Sequence, residues 1–220
     1  MRIIFVRHGH PNYEDDCLTP LGRLQAAAAA ERVRNEKIDR IYSSTRGRAY
    51  QTAEYAANLL GLPITKVEYM QEISWCGDDA VFSRGQPWSC STDILCKQGI
   101  KELAEDVWRS HEYFVSPLQE SVQESVEGFD ALLAEFGYIR SGDVYRCENP
   151  SHETIAIYSH AGSSSAVMSH LINMSFPHFC VTCGPDFTSV TVFNMVEYDG
   201  VAYPMIEIMN DHRHILGLTE

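Results

Sequence analysis

His8 and His160 occupy matching places in this chain. Each closes an apolar run, Ile3-Ile4-Phe5-Val6-Arg7 for the first and Thr154-Ile155-Ala156-Ile157-Tyr158-Ser159 for the second, and small residues follow each, Gly9 or Ala161-Gly162. Where such runs form neighbouring parallel strands, ligands bind beyond their carboxyl ends, and both imidazoles project into one crevice. The small residues let backbone N–H groups come close to an anion. Arginines accompany the histidines: Arg7 precedes His8, and Arg46 and Arg48 follow Ser44-Thr45 at the expected start of a helix. Guanidinium forks bind phosphate oxygens in pairs, and a helix N-terminus adds partial positive charge. Either histidine alone reads as an ordinary hydrogen-bonded loop residue. With the arginines converging on the same strand ends, they describe a phosphoryl pocket that needs no metal.

The elements that would position these groups are visible in the hydrophobic pattern. Ile3-Ile4-Phe5-Val6 is a continuous apolar run, as in a strand buried on both faces. Thr19-Pro20 predicts the cap and first residue of a helix that runs through consecutive alanines to about Asn35. A strand is expected from Ile38 to Tyr42. Ser43-Ser44-Thr45 then caps a helix to about Leu60, which Gly61-Leu62-Pro63 stops, and Ile64 to Tyr69 reads as a third strand. Helices are expected over about 100–114 and 117–136, the second with Val122, Val126, Phe129, Leu132, Leu133 and Phe136 on one face. Residues 142–150 look like loop, and a helix follows His160 to about Asn173. Ser189 to Val196 and Val201 to Met209 flank the hairpin turn Tyr198-Asp199-Gly200. This alternation predicts an α/β fold with a mostly parallel sheet.

Composition bounds the function. Hydrophobic residues make up 45% and charged residues 21% of the 220, as in ordinary globular proteins, and one large domain, 1–220, is expected. The net charge of −13 argues against a nucleic-acid partner. It leaves anionic substrates open, because a few arginines in one cleft reverse the local potential. The seven cysteines are odd in number and irregularly spaced, which suits free thiols in the reducing cytoplasm. Cys180-x-x-Cys183 could in principle serve zinc or redox chemistry, but Pro177 and Gly184-Pro185 beside it suggest a loop. The opening apolar run is too short for a signal segment, and nothing approaches the about 20 apolar residues of a membrane span, so no membrane partner is expected.

Taken together, the motifs resemble the histidine phosphatase (phosphoglycerate mutase-like) superfamily. Arg7-His8-Gly9 is similar to its R-H-G signature, and Leu18-Thr19-Pro20-Leu21-Gly22-Arg23-Leu24-Gln25-Ala26 to its L-T-x-x-G-x-x-Q-A. Ser43-Ser44-Thr45-Arg46-Gly47-Arg48-Ala49-Tyr50-Gln51-Thr52-Ala53 resembles S-S-x-x-x-R-A-x-Q-T-A, and Ser159-His160-Ala161-Gly162 the second histidine motif. Asn210-Asp211-His212 to Ile215 loosely resembles the closing N-D-x-x-H-L. The resemblance implies a three-layer α/β/α sandwich with a helical, cap-like insertion over the active site at about 74–150. It also implies a small phosphorylated substrate and no cofactor or metal. On the same basis His8 is the nucleophile, Arg7, Arg48 and His160 bind the phosphoryl group with His160 as a cation, and Glu72 is the proton donor. The position after Arg7-His8-Gly9 departs from the family: it reads His10-Pro11, with Asn12 a candidate to take over a phosphate contact and the Ala161 backbone a further one. His10 either lines the pocket or lies exposed. Trp75, Trp88, Trp108 and Tyr113 are candidates to pack against substrate or core. The oligomeric state is not legible.

Rival readings remain at this point. A phosphoglycerate mutase would return the phosphoryl group to a bound intermediate, but such enzymes add a basic cluster in the insertion. Here Arg84, Lys97, Lys101, Arg109, Arg140 and Arg146 are scattered. A non-catalytic phospho-ligand binding module should lack one of the four phosphate-binding residues. A metalloenzyme could draw on the nine histidines, His8-x-His10 and Asp211-His212-x-His214 included.

Overall fold

The computed structural model describes residues 1–74, 92, 95–110 and 118–218. Strand β1 (Arg2–Arg7) lies in the middle of an eight-stranded sheet, between β8 (Thr154–Ser159) on one side and β9 (Val190–Tyr198) on the other. Beyond β8 come β4 (Arg40–Ser44) and then β5 (Ile64–Val67), all parallel to β1. On the other side β9, β10 (Val201–Asp211), β7 (Val144–Cys147) and β6 (Tyr138–Ser141) run antiparallel to one another. The expected parallel core is therefore present, and an antiparallel half extends it. A small ribbon of β2 (Pro11–Asn12) and β3 (Cys17–Leu18) lies outside the sheet.

Side-chain alternation divides the core into two layers. Ile3, Phe5, Ile155 and Ile157 face α3 (Leu118–Glu135) and α4 (Ala161–Leu171), where Phe129 stacks at 5.7 Å from Phe5. Ile4, Val6, Ala156 and Tyr158 face α1 (Pro20–Val33) and α2 (Gly47–Leu60), whose buried Ala30, Ala53, Ala56 and Ala57 allow close approach to the sheet. The period of two explains why both strands are apolar throughout: each covers two helical layers at once.

Several local expectations change. Thr19 does cap α1, its hydroxyl accepting from Gly22 N–H with Pro20 leading the helix. Helix α2 begins later than its serines suggest: Ser44 ends β4, and the Gly47 N–H is taken by Asp16 Oδ2 at 2.8 Å. Of the helix expected over 100–114, residues 111–114 lie outside the described residues, and the rest is a 3-10 turn (Ile100–Leu103) and one helical turn (Glu105–Trp108), because Ala104 between them is extended. Residues 142–150 are not all loop: Gly142, at φ +62°, turns β6 into β7, and Tyr145 alternates into the core. Pro177 sits in the first turn of helix α5 (Phe176–Cys183), where its missing N–H costs nothing.

Of the span expected as an insertion, 74–150, residues 75–91, 93–94 and 111–117 lie outside the described residues. Helix α3 and the β6–β7 hairpin belong to the sandwich itself, through Phe129, Leu133, Tyr138 and Tyr145. Trp108 is fully buried against Phe176, while Trp75, Trp88 and Tyr113 lie outside the described residues. No described helix is long and apolar enough to cross a membrane.

Candidate active site

The carboxyl ends of β1, β8 and β4 meet, and their last residues carry the site. Arg7 pairs with Ser159 across the strands, and the ladder continues one step further with His8 N–H donating to Ser159 O at 2.9 Å. The rings of His8 and His160 lie 5.1 Å apart, both buried. Arg48, in the first turn of α2, touches the first of them, its Nε donating to His8 Nε2 at 3.4 Å.

The backbone around His8 depends on two glycines. A Cβ on Gly9 would lie 2.6 Å from Gly22 O, and one on Gly22 would lie 2.1 Å from His10 O, so two chain segments cross at contact distance. The remaining motif residues hold this crossing. Thr52 Oγ1 accepts from Gly9 N–H, Gln25 Oε1 from His10 N–H, and Gln51 Oε1 from Leu18 N–H. These are scaffold roles, and they account for the spacing of the second and third motifs.

The tautomer of His8 follows from its partner. Its Nδ1 lies 2.8 Å from Gly9 O, which can only accept, so the Nδ1 carries the proton and Nε2 keeps its lone pair. Burial, then the Arg7 and Arg48 charges, lower the His8 pKa to about 3, so the ring is neutral over the ordinary pH range. His160 Nε2 is 2.9 Å from Ser44 Oγ, and its buried Nδ1 has no hydrogen-bond partner among the described residues. The expected cationic His160 does not hold in the free protein. Burial, then the His8 ring and the Arg48, Arg46 and Arg7 charges, hold its pKa well below the histidine range.

Glu72 follows a 3-10 turn (Glu68–Met70) that Ser163 anchors by donating to Met70 O. Its Oε1 accepts from Ile73 N–H and from Gly162 N–H at the start of α4, both at 3.0 Å. Burial nonetheless raises its pKa, against the pull of these bonds and of Arg7 and Arg48. His8, Glu72 and His160 offer atoms within 4.8 Å of one another, close enough to share a metal ion. Two guanidinium groups beside them oppose a cation there, and the surroundings suit an anion.

Arg7 donates to Pro185 O at 2.9 Å and stacks 4.1 Å over Phe187, and its buried Nε has no partner among the described residues. The loop carrying Phe187 is tied down by the closing motif: Asn210 bonds Asp186 through both ends of its amide, and His214 Nε2 is 3.3 Å from Thr188 Oγ1. Asp16 Oδ1 accepts from Arg48 at 2.5 Å, so one carboxylate both orients that guanidinium and caps α2.

Among the expected site residues, Arg7, His8, Arg48, Glu72 and His160 come together, and Ala161 opens α4 beside them. Asn12 does not join them: its side chain is used within its own turn, accepting from Glu14 and Asp15 N–H and donating to Asp15 Oδ2. His10 is half-buried and hydrogen-bonded to Thr19. Asp211 pairs with Arg32 and Arg213. Asp16, Ser44 and Phe187 escaped the sequence reading. Only Ser44 had a signal, and it pointed to a helix cap. Cys180 is buried in α5 and its thiol pKa is pushed up, which is the opposite of a reactive pair's thiolate.

Comparison with known proteins agrees with this arrangement. "Putative phosphoserine phosphatase 2" of Hydrogenobacter thermophilus is 26% identical over 178 residues, covering 76% of each chain. "Probable phosphoglycerate mutase GpmB" of Yersinia pestis is 34% identical, but over 83 residues, 34% of this chain and 39% of that protein. Among solved structures, a mutant phosphoserine phosphatase from Entamoeba histolytica in complex with phosphoserine superposes with a TM-score of 0.66 at 21% identity, covering 97% of this chain and 98% of that one. Mycobacterial glucosyl-3-phosphoglycerate phosphatase gives 0.65 at 21% identity, over 95% of this chain and 98% of that one. The family model of the histidine phosphatase superfamily (branch 1) matches residues 3–203. A match that runs from the first strand of the sheet into the last places this chain in that superfamily.

Proposed function

We propose that the protein hydrolyses a small phosphomonoester through a phosphohistidine on His8, without a metal. The observation that carries this reading is the His8 tautomer. With Nδ1 held by Gly9 O, the Nε2 lone pair faces the space shared by Arg48, Glu72 and His160. Arg7, Arg48, the His160 Nδ1–H and the N-terminal end of α4 at Ala161 hold the phosphoryl oxygens. His8 Nε2 forms a bond to phosphorus as the ester P–O bond breaks in line. The leaving oxygen takes the bond's electrons and the proton of Glu72, which burial keeps protonated to higher pH than an ordinary glutamate. The Glu72 carboxylate then takes a proton from water, whose oxygen attacks phosphorus. The N–P bond breaks, its electrons return to Nε2, and phosphate leaves. The incoming dianion supplies the charge that lets His160 take up a proton and stabilise the transferring group.

Hydrolysis is favoured over mutase chemistry because a relative matching 76% of the chain carries a phosphatase name, whereas mutase-named relatives such as that of Yersinia pestis match over 83 residues. The free cysteines of the described residues fit the reducing cytoplasm. The test is a panel of phosphorylated metabolites assayed for phosphate release with and without a chelator. Release that survives chelation and disappears in His8→Ala is expected. Isomerisation of 3-phosphoglycerate without phosphate release would overturn the hydrolytic reading, and activity lost to the chelator would overturn the metal-free one.

A further inference from the structure

We propose that Arg46 reads the non-phosphate end of the substrate and selects phosphomonoesters that carry a carboxylate. This rests on the site being a phosphomonoester site, as argued above. Arg46 is exposed at the start of α2, two residues before Arg48. Its backbone N–H donates at 3.2 Å to Ser44 Oγ, the hydroxyl that also lies 2.9 Å from His160 Nε2. The extended backbone there (φ −68°, ψ 136°) is therefore fixed to the wall of the pocket. The Arg46 charge is close enough to act on the His160 ring.

What sets Arg46 apart is that its guanidinium has no partner among the described residues. Each of the other described arginines has an ion pair, a hydrogen bond or an aromatic ring against its guanidinium. Arg7 has Pro185 and Phe187, Arg23 has Leu18 O, and Arg48 has Asp16. Arg46 has none of these among the described residues, in a chain with 30 acidic against 17 basic side chains. An acid-rich protein that leaves one arginine unpaired beside its phosphate pocket holds a cation ready for an acid on the ligand. Phosphate itself is already served by Arg7 and Arg48, deeper in the site. A carboxylate a few bonds from the ester reaches the rim, where a guanidinium binds it in the same forked manner.

Two probes differ only in that group: 3-phosphoglycerate carries a carboxylate where glycerol 3-phosphate carries a hydroxymethyl. Calorimetric dissociation constants are measured on His8→Ala protein, which on the proposed mechanism should hold ligand without turning it over. The acid is expected to bind about 10-fold more tightly, a charge-assisted hydrogen bond discounted for exposure. Adding Arg46→Gln should bring the ratio of the two constants close to 1, and raising salt should shrink it in the parent. A ratio near 1 in the parent, or one that Arg46→Gln leaves standing, overturns the proposal. Phosphate release from both esters by the unmodified protein is read separately. A carboxylate preference in binding without any release supports the role of Arg46 and sinks the phosphatase reading; release from both esters with no preference does the reverse.

Discussion

Replacing Glu72 by glutamine isolates the proton-transfer role from the architecture. Glu72 Oε1 accepts two backbone N–H bonds, each 3.0 Å long, and a glutamine carbonyl accepts the same pair. The substitution also removes a half-buried, titratable group whose protonated form desolvation favours. Folding and phosphate binding should therefore survive, while proton donation is lost. General acid–base catalysis contributes about 10²–10⁴-fold, so turnover of an alkyl phosphate, whose leaving oxygen needs that proton, should fall by this much. An aryl phosphate whose phenolate leaves unaided should still phosphorylate His8 within about 10-fold of the normal rate. The next step also needs Glu72, as the base that activates water. Glu72→Gln should accordingly give a stoichiometric burst of nitrophenolate from nitrophenyl phosphate, followed by slow turnover, with acid-labile phosphate trapped on the protein. In the unmodified enzyme the alkyl reaction should weaken as pH rises through the raised Glu72 pKa, and the burst phase of the variant should not. Equal losses for both esters without a burst, or an undiminished alkyl rate, would refute the assignment.

Other outcomes follow from the same geometry. Arg48→Ala should lower kcat by at least about 100-fold, the loss of one strong transition-state donor, with the fold retained by circular dichroism; a loss confined to KM would show that Arg48 binds ground state and transition state alike. His8 and His160 are both held below the histidine range, so between pH 6.5 and 5 the unfolded chain takes up protons that the folded chain refuses. Stability should therefore fall as pH is lowered through that window, by about 1.5 kcal/mol per histidine, and urea midpoints that do not move would contradict this. Phe129→Ala, at a fully buried ring beside Phe5, should cost about 3–5 kcal/mol in urea unfolding while leaving kcat of the remaining folded protein near normal.

The legible parts of this molecule were those whose side chains state their environment. Ile3 to Val6 and Ile155 to Tyr158 are apolar at every position, and only a strand covered on both faces has use for that. The Thr19-Pro20 start of α1 and the Asp199-Gly200 turn carry local chemistry that needs no tertiary help. The deep site residues were found through serial motifs. The failures share a cause: each depended on a partner far along the chain. Ser44 looked like a cap and ended as the support of His160, because Asp16 had taken the cap. Asn12 carries the right donor for phosphate, but its neighbours Glu14 and Asp15 claim it. The β6–β7 hairpin was hidden by its polar composition, since it joins the sheet at an edge and only Tyr138 and Tyr145 are fully buried.

The free pocket is built at a cost that its ligand removes. Arg7 Nε and His160 Nδ1 are buried without partners among the described residues, and an unsatisfied buried donor costs about 1–3 kcal/mol. Arg7 and Arg48 repel each other, and the only carboxylate bonded to either is Asp16, which touches Arg48 alone among the described residues. The N-terminal end of α4 adds further partial positive charge. A phosphate dianion relieves all of these terms together, so inorganic phosphate should stabilise the fold as mass action requires, by about 2.7 kcal/mol at a hundredfold excess over its Kd. It should also flatten the acid-side loss of stability between pH 6.5 and 5, because the dianion raises the His160 pKa toward that of the unfolded chain. Arg48→Ala should keep little of either effect. A melting temperature indifferent to phosphate, or raised as much in Arg48→Ala as in the parent, would mean that the four side chains do not act on one anion.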